Sequence, residues 1–235
     1  MDPGFWDPKY DEAMECVRKG PFGETLTPIS RLLDQTGISQ GSKGKSTYVK
    51  EGLPYVRIGN MRLTGVDLSS DVRFVEENGP MDRPGSRPQP GYVLVVRTGA
   101  TIGKVAIWLD ESPPAAVSSV IYKLNFSGVN PYFACTYLKS QYGQSQLERM
   151  KNGAAVENLN LEEVSSIQMV VPPEEVQSQV ETEYRDMSKH HLSAMKAANE
   201  GRRIDRDNEL KIARLKLEDL LSRFTDFIAG TREKL

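Results

Sequence analysis

Short apolar runs separated by polar turns dominate the first two thirds of the chain. The runs are rich in β-branched and aromatic residues, and Gly, Pro, Asp or Asn residues bound them. Branched and aromatic side chains pack well on a pleated sheet, whereas the bounding residues favour turns. The pattern therefore predicts β-strands at 54–58, 72–75, 92–96, 104–108 and 119–124.

Other segments extend this pattern to a mixed α/β domain. Residues 28–33 are predicted to form a short helix or strand, 35–51 a loop, and 131–150 a helix with Asn130 as its N-cap. A last apolar strand, 167–171, ends at two prolines. Many short strands favour a compact, partly closed sheet over a parallel βαβ stack. We therefore predict an α+β fold, with a globular mixed α/β domain at 1–172 followed by a long helix.

The remaining residues, 173–235, carry one helical stripe, because apolar residues recur there every three or four positions. A polar stretch at 199–209 interrupts the stripe. Unbroken, a helix over 174–229 would be roughly 80 Å long, and it would need a partner helix, in a coiled coil, to bury the stripe. The alternative is that the helix folds back on its own domain. The first half of the stripe comprises Val176, Val180, Tyr184, Met187, His191, Ala194 or Met195, and Ala198; the second comprises Leu210, Ala213, Leu217, Leu220, Phe224 and Phe227.

Charge is distributed unevenly on a chain whose net charge is only −2. Residues 41–104 hold ten Lys/Arg and six Asp/Glu, so the excess of cations is local and suits a partner docked at one face, such as nucleic acid in a cleft. No apolar run approaches the roughly 20 residues of a membrane helix, and the N-terminus resembles no signal peptide. Cys16 and Cys135 form no metal or redox pattern, and we expect a cytoplasmic protein without membrane contact.

Candidate catalytic motifs are incomplete. Residues 39–46 and 99–105 resemble a phosphate-binding P-loop, but the first has Ser39 at the required glycine and the second is one residue too short. Asn130–Pro131 is more simply a helix start than a methyltransferase signature. The only histidines, His190 and His191, lie in the helical segment with no metal ligands or catalytic triad around them. We predict no catalytic residue and no metal site, so binding is the expected task.

Polar loops carry the candidate binding residues. Arginine recognises guanine and asparagine recognises adenine in the major groove, while lysine, serine and threonine hold phosphates. Ordinary solvated turns are the alternative for any single loop. The predicted DNA-binding residues are Lys43, Lys45, Ser46, Tyr48, Arg57, Asn60, Arg62, Arg97, Thr98, Thr101 and Lys104.

Taken in order, several segments resemble a target recognition domain of the specificity subunit of Type I restriction–modification enzymes. They are 53–61, 90–104, 158–161, the strand and helix start at 167–177, and the terminal helix at 215–230. Tyr92 stands where the family usually has Asp. Family members usually carry two recognition domains and two helices, whereas this chain has one of each and no internal repeat, so it resembles a half-length subunit.

The resemblance implies a non-catalytic subunit that recognises one half of a bipartite DNA site and docks methyltransferase subunits. Those partners would bind S-adenosylmethionine, no cofactor would bind this chain, and a separate restriction subunit would cleave. A second copy would pair through antiparallel C-terminal helices. Two alternatives stay open: a self-contained methyltransferase or nuclease, and a coiled-coil adaptor that does not bind DNA. The predicted dimerisation residues are Val176, Val180, Met187, Leu210, Ala213, Leu217, Leu220 and Phe224.

Overall fold

The structure, a computed structural model, describes residues 8–42, 47–99, 101–153 and 158–235. Its helices are α1 Pro8–Lys19, α2 Pro131–Lys139, α3 Gln141–Gly153, α4 Leu161–Ser166, α5 Glu174–Asn199 and α6 Arg203–Ile228. Its strands are β1 Thr27–Pro28, β2 Leu33–Gln40, β3 Leu53–Val56, β4 Arg73–Val75, β5 Val93–Val96, β6 Val105–Ile107, β7 Ala116–Val117, β8 Ile121–Phe126 and β9 Gln168–Met169. No described helix is both long and apolar enough to cross a membrane.

The central sheet is antiparallel, with strand order β2-β8-β5-β6. Its strands β5 and β6 are apolar on both faces because each face is covered. Val93 and Val95 face the larger core with the helices, whereas Leu94 and Val96 face a second core beneath a three-stranded sheet of order β4-β3-β7. In that second sheet β3 pairs parallel with β7 and antiparallel with β4. The predicted α+β class is therefore confirmed.

All five short strands predicted from the pattern are present, with ends shifted by a few residues. The loop predicted at 35–51 is partly wrong, because Leu33–Gln40 forms an edge strand. This strand lacks an alternating apolar pattern for two reasons. It is only partly buried, and a bulge interrupts it near Gly37, which has a φ of +60°. The helix predicted at 131–150 is two helices, interrupted at Ser140.

The first turn of α2 connects the globular domain to α5. The Asn130 side chain accepts hydrogen bonds from the backbone N–H groups of Tyr132 and Phe133, which confirms it as the N-cap. Its amide nitrogen donates to the Glu181 carboxylate, and its backbone N–H donates to the side chain of Gln177 at 2.7 Å. The start of α5 is thus hydrogen-bonded to the domain that precedes it.

The C-terminal segment is a helical hairpin, not one long helix. α5 ends at Asn199 and α6 begins at Arg203, with Gly201 between them at a φ of +74°. That left-handed conformation suits glycine and reverses the chain inside the polar stretch 199–209. The prediction of an unbroken helix is therefore wrong, and the alternative in which the helix folds back is confirmed.

The apolar stripe is buried within the single chain. The partner helix expected from a second copy is supplied by the same chain, because α5 and α6 pack against each other and both lie against α2. Phe224 shows the arrangement: its ring centroid lies 5.3 Å from that of Phe133 and 6.4 Å from that of Tyr137. Val176 and Leu210 are partly exposed. The other predicted dimerisation residues have at most 1% exposure: Val180, Met187, Ala213, Leu217, Leu220 and Phe224.

Polar side-chain contacts between α5 and α6 agree with this closure. Lys216 bonds to Asp186 at 2.7 Å, and the His190 Nδ1 atom lies 2.7 Å from the Glu209 carboxylate. Such partly exposed pairs contribute only about 0–1 kcal/mol each, so the buried apolar contacts hold the hairpin and the pairs favour its register.

A matched pair of leucines on α6 tests the hairpin. Leu217 is fully buried, whereas Leu215 is 56% exposed. We expect Leu217→Ala to lower the free energy of unfolding by about 2–5 kcal/mol, and Leu215→Ala to change it by less than about 0.5 kcal/mol.

The measurement is urea unfolding of both variants at two protein concentrations. Because the contacts are intramolecular, Leu217→Ala should cause the same loss of stability at both concentrations, whether or not association through another face raises the midpoints. A Leu217→Ala effect that vanishes on dilution would show that the stripe is buried between chains instead.

Candidate nucleic-acid interface

Several loops meet at one edge of the two sheets. Val96 at the end of β5 pairs with Ile121 at the start of β8, and Val56 at the end of β3 pairs with Val117 at the end of β7. The residues that follow these strands therefore converge. We call this surface the loop edge and define it as the Arg57–Asp71 loop, the described residues of the 97–104 turn, the 118–120 turn and Asn158.

Arg57 and Arg97 lie on either side of the 118–120 turn. Arg97 donates its backbone N–H to the Val120 carbonyl at 3.0 Å, and the side chains of Arg57 and Val120 line the same cleft. The cleft has a volume of about 440 Å³ and is lined by Ser42, Tyr48, Tyr55, Arg57, Ile58, Gly59, Met81, Ser118, Ser119 and Val120. The structure thus brings two predicted arginines and Tyr48 to one surface.

The guanidinium of Arg57 is held from one side only. Its Nη2 atom donates to the backbone oxygen of Asp71 at 2.6 Å and to the Asp71 carboxylate at 2.9 Å. Its Nε atom is buried and has no hydrogen-bond partner among the described residues. A buried donor without a partner is costly, and a bound acceptor would relieve that cost.

Arg97 is oriented by two neighbours. Its Nε atom donates to the Asn158 side chain at 3.2 Å, and its guanidinium lies 4.8 Å from the centre of the Tyr122 ring. A bridge between Thr98 and Asn158 brings the 158–161 segment to the same edge. Both arginines are therefore preorganised, which lowers the entropy lost when a guanidinium binds a partner.

The turn that carries Thr98, Thr101 and Lys104 depends on two glycines. Gly99 has a φ of +83° and Gly103 a φ of +84°, both in the left-handed region. Thr98 and Thr101 are partly exposed and Lys104 is exposed.

Tyr48 is 43% exposed and lies 6.2 Å, centroid to centroid, from Tyr55. The predicted phosphate contacts Lys43, Lys45 and Ser46 lie outside the described residues.

Asn60 requires a correction. Only 1% of the residue is exposed, and its amide supports the loop from within. The side-chain oxygen accepts from the Arg57 N–H at 3.0 Å, and the side-chain nitrogen donates to the Asp67 carbonyl at 3.0 Å. The predicted base contact is wrong for this conformation, because both ends of the amide are already bonded inside the protein.

The Arg57–Asp71 loop is docked on α5 by a buried histidine. His191 Nε2 lies 3.1 Å from the Val66 carbonyl, which can only accept, so Nε2 carries the proton. In the neutral ring Nδ1 then accepts from the Thr64 hydroxyl at 3.0 Å. Burial lowers the pKa of His191, against opposing effects of the Val66 hydrogen bond and the Asp67 charge. His191 was predicted only as a stripe residue, and its role as a loop anchor appears only in three dimensions.

Lys139 is another residue that the sequence did not indicate. It ends α2 and donates to the carbonyls of Leu63 at 2.7 Å and Val105 at 2.6 Å, which fixes the loop against β6. Its side chain lines a second cavity together with Arg62 and Lys104. A basic residue in the last turn of a helix is common, so nothing in its sequence context distinguishes it.

The loop edge offers donors and aromatic surface rather than reactive groups. Among the described residues no cluster of three or more His, Cys, Asp or Glu side chains could hold a metal ion. The carboxylates nearest the arginines are engaged: Asp71 with Arg57, and Asp67 with Ser69 and Ser70. Burial would raise the pKa of Asp67, but the hydrogen bonds from Ser69 and Ser70 outweigh it and lower the pKa. The arrangement suits recognition of an anionic, hydrogen-bonding partner.

Comparison with known proteins gives a family match and several structural ones. The family model described as Type I restriction modification DNA specificity domain matches residues 40–181. No curated protein matches the chain.

Among solved structures, a chain from a study of the complex assembly and conformational transition of the type I R-M system is 16% identical, with a TM-score of 0.50 over 85% of this chain and 45% of that one. The HsdS subunit from Thermoanaerobacter tengcongensis is 14% identical, with a TM-score of 0.45 over 97% and 53%. The S subunit of a Type-I restriction-modification system from M. genitalium is 12% identical, with a TM-score of 0.45 over 94% and 52%. The chain spans about half the length of these solved chains.

Asn60 and Arg62 differ in their predicted effect on stability. We expect Asn60→Ala to lower the free energy of unfolding by about 1–3 kcal/mol, because it leaves the Arg57 N–H and the Asp67 carbonyl unpaired in a buried loop. Arg62→Ala, at a half-exposed side chain in the same loop, should change it by less than about 0.5 kcal/mol. Denaturant unfolding measures both, and equal effects would argue against a structural role for Asn60.

His191 should make stability depend on pH. Because its pKa is lower in the folded state than in the unfolded chain, the unfolded chain binds more protons once the pH falls below about 6.5. The contribution of His191 is thus complete above that pH and is lost as the pH falls toward the folded-state pKa.

Thermal unfolding between about pH 7.5 and pH 5 checks this. His191→Gln, whose amide can both donate and accept, should lose less stability on acidification than the unmodified protein. His190→Gln removes the adjacent histidine and should retain the His191 contribution. The assignment fails if His191→Gln shows the same loss as the unmodified protein.

Proposed function

Because this chain belongs to the family of Type I restriction–modification DNA specificity domains, we propose that its loop edge recognises a short sequence in duplex DNA. The observation that carries the proposal is the convergence of Arg57 and Arg97, each oriented by a neighbouring side chain, on the 118–120 turn. Oriented guanidinium groups suit bidentate hydrogen bonds to base edges. An edge that holds several cations and few unpaired carboxylates also attracts the phosphate backbone.

The predicted contacts divide into two kinds. Arg57 and Arg97 are fixed by Asp71 and Asn158, so they are the candidates for base edges. Tyr48, Thr98 and Thr101 supply hydroxyl groups and an exposed ring beside them. Lys104 is exposed on a flexible stem and suits phosphate, which needs charge more than direction. Asn60 supports the loop from within and is left out of the contact set.

The hairpin is proposed to join the recognition domain to its partners. The chain covers about half of the solved chains to which it is similar. The recognition domain for the other half-site is proposed to come from a second copy of this chain. Pairing would still involve antiparallel C-terminal helices, but through the outer face of α6 because the inner stripe is occupied. Ile204, Ile212 and Leu215 lie within one face of that helix and are 78%, 39% and 56% exposed.

Catalysis belongs to other subunits in this proposal. The chain would bind no cofactor, and methyltransferase subunits docked beside it would bind S-adenosylmethionine and methylate adenine. A restriction subunit would cleave. The self-contained methyltransferase or nuclease and the adaptor that does not bind DNA gain no support from the family match or from the groups at the loop edge.

The test is the methylation motif produced in cells that express the chain with its methyltransferase subunits. Two identical chains related by a two-fold axis should give a bipartite motif whose half-sites are the same sequence, inverted. Arg97→Gln should weaken methylation by about 5- to 150-fold, equivalent to about 1–3 kcal/mol, and relax the motif at one base pair per half-site.

The matched control is Arg214→Gln, at an exposed arginine of α6 that pairs only with Glu218 among the described residues. It should leave the motif unchanged. Unrelated half-sites would contradict pairing of identical chains, and absence of any methylated motif together with absence of DNA binding would contradict the function itself.

A further inference from the structure

We propose that Arg62, Lys104 and Lys139 form one phosphate-binding pocket, which in the DNA complex holds a single backbone phosphodiester next to the base contact of Arg97. The inference rests on the proposed function, and it adds a site on the rim of the loop edge and a residue, Lys139, from α2.

The pocket is a cavity of about 320 Å³ at the junction of three segments. The Arg57–Asp71 loop supplies Arg62, the 97–104 turn supplies Lys104, and the last turn of α2 supplies Lys139. No carboxylate lines it among the described residues. The lining comprises Arg62, Leu63, Gly103, Lys104, Val105, Lys139 and Gln144.

Lys139 is the fixed cation of the pocket. Its ammonium group donates to the carbonyls of Leu63 and Val105, and it has three donors in total. No carboxylate pairs with it among the described residues. Burial lowers its pKa because neutral carbonyls do not offset the loss of hydration. An anion in the cavity would accept the remaining donor and compensate the partly buried charge.

Arg62 and Lys104 are the adjustable cations. The side chain of Arg62 is 52% exposed, and its Nε atom lies 3.7 Å from the Asp67 carboxylate, too far for a hydrogen bond. Asp67 is already bonded to Ser69 and Ser70, so Arg62 can turn toward the cavity. Lys104 is exposed and makes no ion pair within the described part of the chain.

The backbone around the cavity is braced. The side-chain nitrogen of Gln144 donates to the Gly103 carbonyl at 3.1 Å and to the Leu138 carbonyl at 2.6 Å, which joins the 97–104 turn to the end of α2. Arg97 and Lys104 are the two ends of this turn. A phosphate bound at Lys104 would therefore lie at a fixed distance from the base edge that Arg97 contacts. Phosphate contacts of this kind set register, whereas base contacts set specificity.

The experiment measures the salt dependence of binding between the full chain and a mixed-sequence duplex of about three helical turns, which samples sequence-independent phosphate contacts. The double variant Arg62→Gln/Lys104→Gln should reduce the slope of log K against log salt concentration by about one, the loss of one phosphate. Both side chains are largely solvated, so the variant should fold. Lys211→Gln, at an exposed lysine of α6 that does not line the cavity, should leave the slope unchanged.

The remaining outcomes distinguish failure of the proposed function from failure of the phosphate-binding pocket. If the unmodified chain binds this duplex without salt dependence, the proposed function fails. If binding depends on salt but the double variant has the same slope as Lys211→Gln, the pocket is contradicted and the proposed function stands. A slope reduced by about two means that Arg62 and Lys104 bind two separate phosphates, which also overturns the single pocket.

Lys139→Gln, checked for folding by circular dichroism, should lower the slope as well. An unchanged slope in the folded variant removes Lys139 from the pocket and overturns the proposal; if this variant does not fold, the double variant alone decides. A last arm separates DNA from free phosphate: at equal ionic strength inorganic phosphate should displace the duplex from the unmodified chain more than chloride does, and this excess should disappear in the double variant. Inorganic phosphate that binds the unmodified chain without displacing the duplex would assign the pocket to a free phosphate instead.

Discussion

The contact of the His191 imidazole with Thr64 and Val66 fixes the geometry on which the rest of the surface depends. It joins the Arg57–Asp71 loop to α5, and it can do so only because Gly65 has no side chain: a Cβ atom there would lie 2.7 Å from His191 Nε2. The loop in turn places Arg57 against Asp71 and Arg62 at the cavity beside Lys139. A shift of α5 would therefore move two cations of the loop edge together.

The position of α5 is itself set by the closure of the hairpin. Its buried face lies against α2 and α6, and hydrogen bonds from Asn130 hold its first turns to the globular domain. The helical hairpin packs in the larger core, whereas Met61 of the Arg57–Asp71 loop packs in the second core. The His191 contacts join the loop to α5, so a partner that displaced α5 would act on Arg57 and Arg62 through them. The outer face of α6, with Ile204 and Leu215 exposed, remains available for such a partner.

Electrostatics separates the two tasks assigned to the surface. Arg57 and Arg97 are oriented by Asp71, Asn158 and the Tyr122 ring, which suits directional contacts with bases. Lys104 and Arg62 have no close hydrogen-bonded carboxylate partner and suit the phosphate backbone. Lys139 is also a cation suited to phosphate, but its ammonium group is fixed by hydrogen bonds to two carbonyls.

The strands could be predicted because their signal is local. Val93–Val96 and its neighbours are apolar runs bounded by turn residues, and Asn130 followed by Pro131 marks a helix start that the structure confirms. The candidate loops were chosen from their residue types and from the family resemblance, and the structure brings Arg57, Arg97 and Lys104 to one edge.

The features that could not be predicted from the sequence depend on contacts between distant segments. The apolar stripe of 173–235 has the same spacing whether it pairs with another chain or with itself. The chain reverses at Gly201, which has a left-handed conformation, and this reversal lets the two halves of the stripe pair within one chain. Asn60 has the chemistry of an adenine contact, but burial assigns it to the loop interior. Lys139 and His191 lie 76 and 127 residues from the loop residues they bond, Leu63 and Thr64, so no local pattern could connect them.

The most direct test of the account is hydrogen exchange of the full chain with and without duplex DNA that carries its methylation motif. The account predicts slower amide exchange in the Arg57–Asp71 loop, the 97–104 turn and the 118–120 turn, and unchanged exchange at the hairpin turn around Gly201. Protection confined to the hairpin, with no change at the loop edge, would contradict the claim that this edge binds DNA.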